Sequence, residues 1–138
     1  MAAILSGPAV ACRKPVLIHG AFGPQAVRCT TGEHIHLEAL VNPGIIVGGD
    51  GLYDFACATR PCLTEPWREG FSEGYLTAGT LTPEEEVRLP ALRLLSCYWN
   101  ACYNYMRAVD HEPDQAEARR LLHELAPSFK ASYAPPHQ

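Results

Sequence analysis

Val16-Leu17-Ile18-His19-Gly20-Ala21-Phe22-Gly23-Pro24-Gln25-Ala26-Val27 is the stretch that decides how the rest of the chain is read. A short apolar run ends in His19-Gly20, a turn-rich patch follows at Gly23-Pro24-Gln25, and Val27 returns to apolar character. A strand, a glycine and a loop in that order deliver polar residues to the floor of a site. Residues 27–37 then read as a hairpin: Val27-Arg28-Cys29, a turn at Thr31-Gly32, and Ile35-His36-Leu37 with alternation, its inner face carrying site residues. His34 and His36 share one face of that strand, an arrangement that binds a metal only if a third ligand converges. No third ligand is evident in the sequence, and the expectation is that the site holds no metal and no cofactor.

The same stretch resembles the catalytic loop of the aminoglycoside phosphotransferase and choline kinase-like family, H-G-D-x-x-x-x-N, of the protein kinase-like fold. His19 and Gly20 match that pattern, Ala21 stands at the catalytic aspartate and Ala26 at the metal-binding asparagine. The family's I-D-x-E segment reads Ile35-His36-Leu37-Glu38 here, and its G-D-P-x-x-D-L-A segment reads Gly49-Asp50-Gly51-Leu52-Tyr53-Asp54-Phe55-Ala56. Glu65-Pro66-Trp67-Arg68-Glu69-Gly70-Phe71 is similar to the family's late C-lobe helices, so the resemblance covers residues 16 to 109. It implies a truncated C-lobe, without the nucleotide-clamping N-lobe, in which Asp50 braces the catalytic loop and His19 is largely structural. It also implies that phosphoryl transfer has been lost. That reaction needs a carboxylate to orient the attacking hydroxyl and oxygen ligands to hold magnesium; alanine offers neither, and imidazole is a poor magnesium ligand.

Bulk properties agree with one soluble domain over residues 1–138. The chain is 47% hydrophobic and 19% charged, ordinary for a globular protein, and its net charge of −4 lacks the basic footprint of a nucleic-acid binder. No apolar run approaches the length of a membrane span. The N-terminal segment 1–15 lacks the basic residue and uninterrupted apolar stretch of an export signal, so a cytoplasmic location is expected. The six cysteines (Cys12, Cys29, Cys57, Cys62, Cys97, Cys102) contain no C-x-x-C pair and are expected as free, mostly buried thiols.

Beyond the site region of residues 16–51, a loop from Asn42 to Gly49 carries the apolar plug Ile45-Ile46-Val47. Residues 52–130 read as helical. A short helix spans Leu52 to Thr59, with Asp50 placed to cap it. A second runs from Thr64 to Gly79, with Trp67, Phe71, Tyr75 and Leu76 as core. A third opens with the capping box Thr82-Pro83-Glu84-Glu85, is kinked or broken by Pro90 near Glu86–Leu89, and continues through Leu92, Leu95, Trp99, Cys102, Tyr103, Met106 and Val109. A fourth opens at Asp114, with Glu117 three residues on, and buries Ala118, Leu121, Leu122 and Leu125. The tail 131–138 is expected to be flexible. The fold class is therefore α+β and predominantly helical, a short β-hairpin packed on about four helices.

The functional expectation is a repurposed scaffold without kinase chemistry. One reading is acid/base catalysis (cyclisation, isomerisation or elimination) on a small apolar organic substrate of a biosynthetic pathway, with His19, His36 and Glu38 as the catalytic groups. Phe22, Asp50, Tyr53, Tyr98, Asn100, Tyr103 and Asn104 are the expected substrate-binding residues, the last few by position along the family's substrate groove. The alternative is a non-catalytic, pseudokinase-like module that binds a ligand or partner. The apolar surfaces that missing helices would have covered lead to the expectation of a homodimer, through Ile45-Ile46-Val47 and the long third helix.

Overall fold

The computed structural model describes residues 10–12, 14–43, 47–107 and 112–132, with only the backbone of Val47, Asp114, Leu125 and residues 128–132. It is an α+β fold in which helices dominate. Strand β1 (Pro15–Ile18) pairs antiparallel with β4 (Val47–Asp50), Ile18 opposite Val47 and Pro15 opposite Asp50. Strands β2 (Val27–Thr30) and β3 (His36–Leu40) form a separate antiparallel hairpin. Strand β4 is the element the sequence hides, because Gly48-Gly49 shows no alternation and reads as loop. Its glycine has a steric reason: a Cβ at Gly49 would lie 2.6 Å from Ile18 Cδ1. The apolar plug Ile45-Ile46-Val47 falls largely outside the described residues, as do Val109, most of segment 1–15 and the end of the tail.

Helix α1 (Gly51–Ala58) begins where β4 ends, and Asp50 joins the two, accepting the Leu52 N–H on Oδ1 at 3.1 Å. Helix α2 (Glu65–Leu76) starts after Thr64 with Pro66 in its first turn. Its aromatic stripe packs on α1, with the Phe55 and Tyr75 rings 4.7 Å apart and the Trp67 indole N–H donating to the Ala58 carbonyl at 2.9 Å. No α2 side chain is fully buried, however, so the stripe forms a cover over the core and not the core itself.

Helix α3 (Pro83–Met106) opens with the expected capping box. Thr82 Oγ1 accepts the Glu85 N–H at 3.2 Å, and the Glu85 carboxylate accepts the Thr82 N–H at 2.8 Å. The helix is continuous across Pro90, since a single missing N–H in a long, well-packed helix removes one bond without ending the run. Helix α4 (Glu112–Ser132) starts two residues before Asp114.

Among the described residues the core has two clusters. One joins Leu52, Phe55 and Ala56 of α1 to Leu89 and Leu92 of α3; the other joins Leu94 and Cys97 of α3 to Ala118 and Leu121 of α4. The buried face of α3 thus departs from the expected stripe: Leu94, Cys97 and Ala101 are buried, whereas Trp99, Tyr103 and Met106 are exposed. Two partners, α1 and α4, flank α3 and rotate its buried face away from a single stripe. Only Cys57 and Cys97 are buried among the six cysteines, whereas Cys12, Cys29 and Cys62 are exposed, so the thiols are not mostly buried.

Candidate functional site

The loop after β1 is held from beneath by one carboxylate. Asp54, in the first turn of α1, accepts the His19 N–H at 2.7 Å and the Gly20 N–H at 2.8 Å, one on each oxygen. Hydrogen bonds to an ionised acceptor are the strong kind, and two from adjacent amides fix the path of the chain at Gly20, whose φ of 79° suits glycine. The resemblance assigned this bracing to Asp50, and here the structure corrects it. Asp50 caps α1 and forms an ion pair with Arg88, while the residue one helical turn later reaches the loop.

Further ties close the loop. His19 donates from Nε2 to the Val41 carbonyl at 2.9 Å, because a carbonyl can only accept. The Val41 N–H donates to the Ala26 carbonyl at 2.8 Å, and the Asn42 amide donates to the Gln25 carbonyl at 3.1 Å. His19 therefore ties the loop to the end of the hairpin, with its Nδ1 buried and without a hydrogen-bond partner. Phe22 lies edge-on to His19 at 5.3 Å and against Phe71 at 5.3 Å, a packing post between loop and α2.

A cleft of about 640 Å³ opens over this loop. One wall carries Ala21, Gln25, Asn42 and Pro43; the other carries Trp99, Asn100, Tyr103 and Asn104 from α3. Arg60 and Arg107 complete it. Arg60, beyond the C-terminus of α1, is buried and donates from Nε to the Cys57 carbonyl at 3.1 Å. Arg107 donates to the Tyr103 hydroxyl at 2.7 Å and lies 5.5 Å from that ring's centre. Among the described residues, the cleft lining thus holds two guanidinium groups and four side-chain amides, with neither carboxylate nor imidazole. That set suits an anion with a flat body: guanidinium forks match carboxylate and phosphate oxygens, and Trp99 and Tyr103 offer aromatic surface. The lining mixes these polar groups with Ala21, Pro43, Trp99 and Tyr103, where the expected substrate was apolar.

The structure brings Asn100, Tyr103 and Asn104 together at the cleft beside Ala21. It does not bring His19, His36 and Glu38 together. His36 and Glu38 are exposed on β3, and His36 sits four residues from Leu40, roughly 13 Å along an extended strand from the end that His19 reaches. Glu38 is the extra residue of a bulge, since Arg28 pairs with Ala39 and Cys29 with Leu37. His34 and His36 have ring centres 6.4 Å apart. No group of three or more potential metal-ligating side chains converges among the described residues. Tyr53 is half-buried on α1, where burial foremost drives its phenol pKa far above the ordinary range. Tyr98 lies on another face of α3, at a separate cavity shared with α4.

Gln25, Asn42, Arg60, Trp99, Arg107 and the brace Asp54 were not among the expected site residues. For Asp54 the signal was available, because its position in the first helical turn after Asp50 points it back toward the preceding strand. Gln25, Asn42, Arg60 and Arg107 come from separate segments, and no local pattern announces that they converge. Compared with known proteins, the chain matches no family model, no curated protein and no solved structure.

Proposed function

We propose that this protein is a non-phosphorylating ligand-binding module on a phosphotransferase-like C-lobe frame, whose cleft beside Ala21 takes a small organic anion. The composition of the cleft carries the reading: Arg60 and Arg107 supply positive charge, Gln25, Asn42, Asn100 and Asn104 supply orienting amides, and among the described residues no lining side chain is a carboxylate. Phosphoryl transfer with magnesium needs a carboxylate to orient the attacking hydroxyl and help hold the metal, and among the described residues none lines this cleft. The Asp54-braced loop is consistent with the frame, because it fixes the backbone at the position where the resembling family places its catalytic aspartate. A homodimer belongs to the same proposal: Leu17, Ile35 and Leu37 leave apolar side chains exposed on β1 and the hairpin.

The test is a thermal-shift and calorimetric panel of small mono- and dicarboxylates and phosphate monoesters, with and without magnesium. At least one anion is expected to bind with an affinity reduced tenfold or more in Arg107→Glu and unchanged in His36→Ala and Glu38→Gln. Turnover of an organic substrate that disappears in His36→Ala would move the assignment to the acid/base enzyme. Sedimentation at micromolar concentration reads the dimer, and a monomer mass contradicts that part.

A further inference from the structure

On another face of α3 lies a second cavity, of about 480 Å³, between α3 and α4. On α3 its lining follows the helical spacing Tyr98, Ala101, Cys102, Tyr105; on α4 it follows Gln115, Ala118, Arg119, Leu122. Ala101 and Ala118 are nearly buried and their small side chains leave room that larger ones would fill. Around them, aromatic, thiol and aliphatic groups make an apolar groove, open to solvent where Tyr105 and Met106 are exposed.

Besides the Tyr98 and Tyr105 hydroxyls, its polar groups are Gln115 and Arg119, one turn apart on the α4 side, where the Arg119 guanidinium donates to the Gln115 amide oxygen at 3.2 Å. The neighbouring Arg120 differs. It is engaged by the carboxylates of Glu117 and Glu124. A guanidinium beside an apolar cavity, bonded to a neutral amide, is placed to exchange that amide for a carboxylate, which is the better partner. From Tyr98 to Met106 the lining runs along eight helical steps, roughly 12 Å, which suits a hydrocarbon chain of about ten carbons.

The geometry points to this cavity as a second binding site, for a medium-chain aliphatic carboxylate whose chain lies along α3 and whose head group meets Arg119. Size, apolar lining and the Arg119 guanidinium within that lining together define the ligand class. The site is independent of the anion cleft: it uses no residue of that cleft, so either can fail without the other.

Decanoate, decanol and decylamine titrated into the full chain, below their aggregation concentrations, test it by calorimetry and by amide chemical shifts. Saturable 1:1 binding of decanoate is expected, tighter than that of decanol or decylamine, with shifts at Ala101, Cys102, Ala118 and Leu122. Arg119→Glu should weaken decanoate at least tenfold and leave decanol unchanged, while Cys102→Trp, which fills the groove, should abolish both. If Cys102→Trp does not fold, Met106→Glu at the exposed mouth takes its place and should weaken decanoate. Equal decanoate affinity in wild type and Arg119→Glu overturns the assignment. So does the absence of saturable binding, or concentration-dependent self-association that protects Tyr105 and Met106, which would make the groove a contact between copies.

Discussion

Asp54 is the residue on which the loop depends, because its two oxygens receive two consecutive backbone amides, one of them on the buried Gly20. Truncation to alanine leaves both donors without their partner, and an unsatisfied buried donor costs on the order of 1–3 kcal/mol. Asp54→Ala is therefore expected to lower unfolding free energy in urea by about 3 kcal/mol and to broaden the His19 and Gly20 amide resonances. A loss under about 0.5 kcal/mol would mean that the other ties, His19 to Val41, Val41 to Ala26 and Asn42 to Gln25, hold the loop without Asp54.

Cys57 gives the residue scale a pH signature. Burial foremost raises its thiol pKa above the ordinary value, although the Ser96 hydroxyl donates to its sulfur at 3.3 Å. A folded pKa that is raised means the neutral thiol contributes stability below the unfolded value, about 8.5, and loses it as pH climbs through the folded value. Unfolding free energy should fall between pH 8 and pH 10.5, less steeply in Cys57→Ala than in wild type. Parallel slopes in the two proteins would show that Cys57 is not the titrating group.

Among the elements, the pairing of β1 with β4 is set by close approach. Ile18 is nearly buried, and its Cδ1 occupies the space a side chain at position 49 would need. Gly49→Ala should cost about 1–3 kcal/mol through overpacking. Ile18→Val, which removes the clashing methyl, should recover part of that loss in the double variant; additive losses in urea denaturation would contradict the contact. The elements also show what is legible in one sequence. The start of α3 is readable at Thr82–Glu85 because a capping box is local: every partner lies within one turn. Strand β4 is not, because Gly48-Gly49 owes its extended form to pairing with Val16 and Leu17, more than thirty positions away. The buried face of α3 is likewise set by α1 and α4, and its own periodicity could not say which of its apolar residues each would claim.

For the whole molecule, the α+β class and the helical content were legible, and so was part of the cleft: Asn100, Tyr103 and Asn104 do face Ala21's loop across it. The polar, cationic character of that cleft was hidden, because Arg60 lies just beyond α1, Asn42 just beyond β3 and Arg107 just beyond α3. Element ends are where a loop-rich site collects its side chains, and their meeting is decided only by the packing of the elements. Asn42 illustrates it: a φ of 53° turns the chain after β3, and its amide reaches Gln25 on the opposite segment. Among the described residues no helix is long and apolar enough to cross a membrane.

The central claim is that the cleft beside Ala21 binds a small organic anion through Arg60, Arg107 and the amides around them. Side-chain amide resonances of the ¹⁵N-labelled chain, followed while the anion panel and then magnesium with nucleotide are titrated, read that cleft directly. Saturable shifts at Gln25, Asn42, Asn100 and Asn104 that vanish in Arg107→Glu, with no phosphate transferred to any panel member, are the predicted result. Shifts confined to the hairpin around His36 and Glu38, or γ-phosphate delivered to an acceptor, would contradict it.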